Sequence, residues 1–391
     1  MSVEALTDRP ANDPSVNGAM KGLVYGGPGQ RAWASKPKPT IRERGDAIVR
    51  ITESTICGTD LHILKGDVPS VTPGRILGHE GVGVIEAIGS SVASFHPGDL
   101  VLISCITACG ICDFCRRGMP SHCRTGGWIL GNTIDGTQAD YVRIPHADTS
   151  LYRVSSDLDL DAVVLLSDIL PTAYECGVLN GQIKPGDRIA IVGAGPIGLA
   201  ALLTAQLYSP SAILMIDLDG NRLQIAKGFG ATSVVNSAAE DAVARVLAIT
   251  DGAGVDLAIE AVGTPAAFDT CQAIVGAGGR IANIGVHGKP VQLHLEKLWD
   301  RNIALTTRLV DTVTTPLLLR LIKAGKLRPA GLVTHRFGLD DIMQAYDTFA
   351  DAAKTSALKV VLGPSAGLTA GLCESSERLP CRTTFLRLTT S

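Results

Sequence analysis

The chain has 391 residues, 46% of them hydrophobic and 19% charged, enough apolar surface for a sizeable core and, by length, for two domains or three. A formal net charge of −3 argues against a nucleic-acid surface. No uncharged apolar run reaches the ~18 residues of a membrane span, and the opening MSVEALTDRPANDPSVNG lacks the apolar stretch of a secretory signal. The expectation is a soluble, cytoplasmic protein, in which ten cysteines point to metal or catalysis before disulfides.

Residues 1–19 read as a disordered leader, with ordered sequence from about Met20. From 20 to 169 the chain is dense in Val, Ile, Gly and turn signals such as HPGD at 96–99, which predicts a mostly β domain. Inside it stand CGTDLH at 57–62 and GHE at 78–80. Taken alone, a Cys and a His such as Cys57 and His79 are more often core residues than ligands. Their neighbours bring more chemistry. Asp60 can orient the His79 imidazole, Glu80 adds a carboxylate, and Thr59 and His62 supply a hydroxyl and a titratable ring on one turn. Next comes CGICDFCRRGMPSHC, in which Cys109, Cys112, Cys115 and Cys123 are spaced C-x2-C-x2-C-x7-C. Four thiolates so close in sequence can wrap one tetrahedral Zn²⁺, leaving no open position, so that such a site is structural. Disulfides are the alternative reading, and Cys105 is surplus to the pattern, a buried thiol.

From 170 to 309 the texture changes to alternating strands and Ala-rich helices, the mark of a parallel α/β sheet. Strands are predicted at the start of IAIVGAGPIG (189–198) and at AILMID (212–217), VDLAIEAVG (255–263) and RIANIG (280–285). The run 193–198, with Gly193, Gly195, Pro196, Ile197 and Gly198, fits G-x-G-x-x-G. The first glycine permits the tight turn, the second lets backbone approach a pyrophosphate, and the third packs helix on strand. Pro196 suits the first helical position. Asp217 ends the next strand about twenty residues on, where an acid accepts from the adenosine ribose hydroxyls and repels a 2′-phosphate, which favours NAD over NADP. Arg222 can reach the ribose or pyrophosphate, and could also assist a 2′-phosphate. A glycine-rich turn holding no nucleotide is the bland alternative. From 310 to 364, PLLLRLIKAGKL predicts a helix and ALKVVL (357–362) a strand able to return to the first domain; 365–391 read as a loose tail.

C-G-T-D-x-H, G-H-E-x-x-G, the four-Cys lobe and the G-x-G-x-x-G unit occur in that order between about Met20 and Gly363. Together they resemble the zinc-dependent, medium-chain alcohol dehydrogenase family. The resemblance implies a Rossmann-type cofactor domain plus a mostly β, GroES-like catalytic domain carrying the cysteine lobe. It implies two Zn²⁺ per chain, one catalytic and one structural, with NAD(H) as cofactor. In the family the third ligand of the catalytic zinc precedes the cofactor domain and is often a Cys followed by x3-T-x-Y. Here the matching stretch is D-I-L-P-T-A-Y, so the ligand is expected at Asp168, as in certain secondary-alcohol dehydrogenases, with Cys176 as the rival. Glu80 is then expected to swing onto the metal during ligand exchange. The proton of the alcohol is expected to pass from Thr59 through the ribose 2′-hydroxyl to His62, a residue type that titrates near neutrality. Thr172, Ile284, Gly285 and Val286 are expected at the cofactor, Lys359 at a phosphate, and Trp128 and Leu309 in the substrate cleft. His96, His146, His287 and His335 match no ligand position. The substrate is expected to be a small alcohol, aldehyde or ketone, and the assembly a homo-oligomer, dimer or tetramer. A polyol or threonine-type dehydrogenase is the alternative within the family. A zinc-ribbon binding module with one zinc, or a zinc-free quinone reductase, lies outside it.

Overall fold

The computed structural model describes residues 18–364; almost all of the expected leader, and all of the expected tail, lie outside the described residues. The chain opens with an antiparallel hairpin of β1 (Ala19–Gly27) and β2 (Gln30–Pro37). A mostly antiparallel sheet follows from β3 (Ala47–Ile56), β4 (Gly81–Ile88), β5 (Leu100–Ile103), β6 (Tyr141–Ile144) and β7 (Leu151–Arg153). Its β-branched residues close one core, where Val49, Ile51, Ile85, Val101, Ile103 and Val142 are buried together.

The second unit is a parallel sheet of β8 (Arg188–Val192), β9 (Ala212–Asp217), β10 (Ser233–Asn236), β11 (Val255–Glu260), β12 (Val275–Asn283) and β13 (Ala304–Thr307). Their order is β10-β9-β8-β11-β12-β13, the doubly wound arrangement of dinucleotide-binding folds. Helices cover both faces, which is why IAIV, ILMI and LAI are continuously apolar and buried instead of alternating. Strand order reverses between β8 and β11, so the crevice for a ligand opens at their carboxyl ends. Gly193 turns the chain there with φ +108°, and a Cβ on Gly198 would lie 1.9 Å from the Gly193 carbonyl oxygen. Both positions therefore require glycine.

The chain then comes back to the sheet it left. β15 (Lys359–Gly363) pairs antiparallel with β3 and parallel with β14 (Val333–Gly338). Between the two units runs the helix Ile169–Thr172, which continues through Ala173–Leu179 in wider π-helical turns, and Asp168 stands at its start. Among the described residues no helix is long and apolar enough to cross a membrane.

Candidate active site

Cys57 caps the helix Gly58–Lys65 at its N-terminus. His79 and Glu80 lead into β4, and Asp168 begins the bridging helix. Three elements far apart in sequence thus deliver one cluster: the ligand atoms of Cys57, His79, Glu80 and Asp168 all lie within 4.8 Å of one another. His79 Nε2 is 3.2 Å from Asp168 Oδ2, and Cys57 Sγ is 3.8 Å from the same oxygen. Thr172 donates its hydroxyl to Asp168 Oδ1 at 2.6 Å and so fixes the carboxylate's rotation.

The charges of the cluster call for a cation. Burial opposes a charged imidazole at His79, yet hydrogen bonds and charge from Asp168 and Cys57 outweigh it and raise its pKa well above the ordinary value. Burial likewise works to raise the Asp168 carboxyl, but His79 beside it brings it below the usual range. Two buried carboxylate oxygens, Glu80 Oε1 and Asp60 Oδ1, have no hydrogen-bond partner among the described residues. A thiolate, an imidazole and a carboxylate with this demand for positive charge are a fitting donor set for zinc.

Two expectations about the surroundings are corrected. Asp60 makes no hydrogen bond with His79 among those found. Its Oδ2 accepts from the Cys57 backbone at 2.9 Å and from Gln138 Nε2 at 3.0 Å, because a residue three places into a helix reaches back to the cap more readily than to another element. Its charge still acts on the imidazole through space. Lys359, expected at a phosphate, is buried with its ammonium on Glu80 Oε2, which also accepts from Thr55. A buried lysine needs a counter-charge, and the carboxylate across the β3–β15 pairing supplies it. Cys176, the rival ligand, is outside the cluster and packs with Cys105, Ile106 and Val310. Cys105 is the buried thiol expected, outside the four-Cys cluster, and its Sγ lies 3.8 Å from Asp168 Oδ1. No spacing rule links 105 to 168, so nothing in the sequence signals that contact.

Over the cluster opens a cleft of about 520 Å³ that contains Thr59, His62, Trp128, Ile284, Gly285 and Val286 in its lining. Leu309 lines it as well, so both residues expected in a substrate cleft are there. Thr59 Oγ1 is 3.6 Å from Cys57 Sγ. His62 is half exposed one turn on, its Nδ1 2.9 Å from Asp67 Oδ2. Thr172 also faces this cleft.

The dinucleotide features meet at the strand-order reversal. The helix Pro196–Ala205 begins at Gly195 with no side-chain cap on its amides, which favours an anion there. A Cβ on Gly195 would meet only Arg222 Nη1, at 3.7 Å, so space remains beneath that guanidinium. Asp217 accepts from the backbone of Ala194 at 2.6 Å and of Asp219 at 2.8 Å, which holds its carboxylate at the rim of the glycine turn. On the far side Glu260, missed in the sequence, accepts from Val262 and Gly263 at 3.0 and 2.8 Å. The carboxylate lies under Gly285, where a Cβ would come within 2.2 Å of Oε2. These features fit a dinucleotide.

In the lobe, the sulfurs of Cys109, Cys112, Cys115 and Cys123 also lie within 4.8 Å of one another. The Cys112 and Cys115 sulfurs are 3.5 Å apart, close to the roughly 3.8 Å edge of a tetrahedron with Zn–S of about 2.3 Å. Cys109 and Cys112 donate their backbone N–H to the sulfurs of Cys123 and Cys109 at 3.2 and 3.4 Å. Backbone N–H groups of Cys115 and Arg124 bring the Cys112 thiol down to about 6, while burial and the Cys112 sulfur push Cys115 up to about 12. One anionic sulfur thus resists ionisation of its neighbour, a conflict that a divalent cation removes. All four cysteines are free thiols, so the disulfide alternative fails.

The family model described as alcohol dehydrogenase GroES-like domain matches residues 43–156, and that of zinc-binding dehydrogenase matches 196–324. An alcohol dehydrogenase of Cupriavidus necator is 36% identical over 373 residues, covering 88% of this chain and 99% of its own. Zinc dependent alcohol dehydrogenase 2 from Streptococcus pneumonia, solved in its apo form, superposes with a TM-score of 0.85 at 53% identity, over 88% of this chain and 98% of that one. A Sinorhizobium meliloti structure bound to NADP reaches a TM-score of 0.80 at 27% identity, over 89% and 100%. Matched in both units and along nearly the whole length of these relatives, the chain belongs to the zinc-dependent alcohol dehydrogenases of the medium-chain dehydrogenase/reductase superfamily.

Proposed function

We propose that this oxidoreductase interconverts an uncharged alcohol and its aldehyde or ketone, exchanging hydride with NAD. The observation that carries the reading is the convergence of Cys57, His79 and Asp168 at a cleft that 284–286, just past the end of β12, also line. Zinc held by these three residues supplies a Lewis acid at the substrate oxygen, and the nicotinamide supplies the hydride acceptor. The chain's own residues do the rest. Thr59, beside the Cys57 sulfur, would accept the proton of the substrate hydroxyl while giving its own to the cofactor's ribose 2′-hydroxyl, and His62, facing Asp67 at the cleft's edge, would take the relayed proton and pass it to solvent. Lys359 and Thr55 hold Glu80 Oε2, leaving Oε1 without a hydrogen-bond partner and free for transient coordination. A second zinc in the Cys109–Cys123 lobe is structural.

Substrate polarity follows from the walls. Val68, Ile106, Trp128, Ile284, Leu309 and Val310 are apolar, and the guanidinium of Arg308 is committed to Asp311 at 2.6 Å. The guanidinium in that lining faces Asp311 and not a substrate carboxylate, which disfavours threonine, and the apolar side chains favour apolar alcohols over polyols. A panel of alcohols offered with NAD and with NADP, followed by reduced-nicotinamide absorbance, tests this. Faster turnover of threonine or sorbitol than of benzyl alcohol or hexanol would reject it.

The NAD preference rests on Asp217, whose carboxylate would repel a 2′-phosphate. Asp217→Gly is expected to lower kcat/KM with NAD about tenfold and to raise it with NADP, a change of ~1.4 kcal/mol in each discrimination step. Equal use of both cofactors by the unaltered enzyme would refute it. A homo-oligomer is supported by the open edge at β13, where Leu305 is exposed, and sizing chromatography with light scattering reads its mass.

A further inference from the structure

The segment 308–312 forms one wall of the cleft through Arg308, Leu309 and Val310. It has no regular structure, and Thr312 adopts φ +59°, an unfavourable conformation for a non-glycine residue. Val310, Asp311 and Thr312 are nevertheless buried, so outside partners must satisfy their polar groups. One partner is Glu175, buried on the helical run that starts at Asp168. Its Oε2 accepts from the backbone of Asp311 at 2.7 Å and of Thr312 at 3.1 Å, and its Oε1 from Thr314 N and Oγ1 at 2.9 and 2.8 Å. Ser104 Oγ, 2.8 Å from Thr312 Oγ1, and the Tyr152 hydroxyl, which donates to the Thr312 carbonyl at 2.9 Å, hold the segment's far end. The remaining partner is the cysteine lobe. Asp311 Oδ1 accepts from Ser121 N at 3.0 Å and Ser121 Oγ at 2.6 Å, and Oδ2 accepts from Arg308 Nε and Nη2 at 3.2 and 2.6 Å. Ser121 lies in the turn Pro120–His122, directly ahead of Cys123, and the adjacent His122 also lines the cleft.

We propose that Asp311 is a positioning residue that clasps the substrate-cleft wall to the cysteine lobe, so that the lobe shapes substrate binding as well as stabilising the fold. Every hydrogen bond to its carboxylate comes either from the wall or from the lobe; those from Ser121 are buried and those from Arg308 half-buried. Removing the carboxylate strands two donors of Ser121 and frees the Arg308 guanidinium beside the cleft, so Leu309 and Val310 lose their fixed position. The metal ligands and the glycine turn, which Asp311 does not touch, keep theirs.

The inference rests on alcohol oxidation as the reaction. The test uses the full-length, zinc-loaded enzyme with Asp311→Ala and the milder Ser121→Ala. The alcohol KM is expected to rise about tenfold and about threefold respectively, with kcat and the KM for NAD within twofold. Amide hydrogen exchange should quicken both in 308–314 and in 109–125, but not in 193–198. An unchanged alcohol KM in both variants would overturn the proposal, as would a parallel rise in both KM values or faster exchange confined to 308–314. Should Asp311→Ala fail to fold, Ser121→Ala decides by the same criteria. If the unaltered enzyme reduces no nicotinamide with any alcohol, the reaction reading fails, whereas the clasp is still judged by the exchange pattern.

Discussion

Asp168→Ala is expected to lose the catalytic zinc and on the order of a thousandfold in turnover, while keeping the lobe metal and the fold. The ligand set shrinks to Cys57 and His79, and a catalytic zinc site ordinarily draws on three protein ligands. Lewis-acid stabilisation worth several kcal/mol goes with the metal, at about 1.4 kcal/mol for each factor of ten in rate. Cys176→Ala is the matched control. That thiol is buried against Cys105, Ile106 and Val310 and stands outside the ligand cluster, so both metals and most activity should remain. Asp168→Cys should retain zinc even with an altered rate, because a thiolate at the same helix start can complete the set. Zinc content by mass spectrometry, alongside turnover, distinguishes the cases. Loss of one zinc in Cys176→Ala with two kept in Asp168→Ala would assign the third ligand to the wrong residue.

Cys112→Ser should remove the lobe zinc and lower the thermal midpoint by about 5–10 °C. For domains of this size each kcal/mol lost moves Tm by about 2–4 °C, and a structural zinc contributes directly to folding. Cys112 is an informative position because backbone N–H groups favour the ionised form of its sulfur, with a pKa near 6. A hydroxyl there cannot replace the thiolate. The chemistry at Cys57, His79 and Asp168 is not touched directly, so kcat measured on well-folded protein should fall less than the alcohol KM rises, through the Ser121–Asp311 contact. Two zincs per chain with an unchanged melting curve would refute the prediction.

The features legible in the one-dimensional chain are those whose physics is local. Four cysteines within one short loop can reach a common point whatever the rest of the fold does, and the structure brings their sulfurs together. The turn at Gly193–Gly198 is set by backbone sterics between a strand and the helix beside it, so spacing alone revealed it. Asp168 is picked out by the family resemblance, through its distance from Thr172 and Tyr174, which lie on the same helical run. Other features depend on which distant segments pack together, and only the folded chain decided them. Asp60 turned to its own helix cap, since a backbone donor three residues away was nearer than His79. Lys359 went to Glu80 because β15 pairs with β3, a contact between residues 279 positions apart. Cys105 met Asp168 and Asp311 met Ser121 in the same way, across separations that no motif encodes. Burial supplies the common reason. Once water is excluded, each charged or polar group must take the partner that the packing presents, and that partner is a property of the assembled layers.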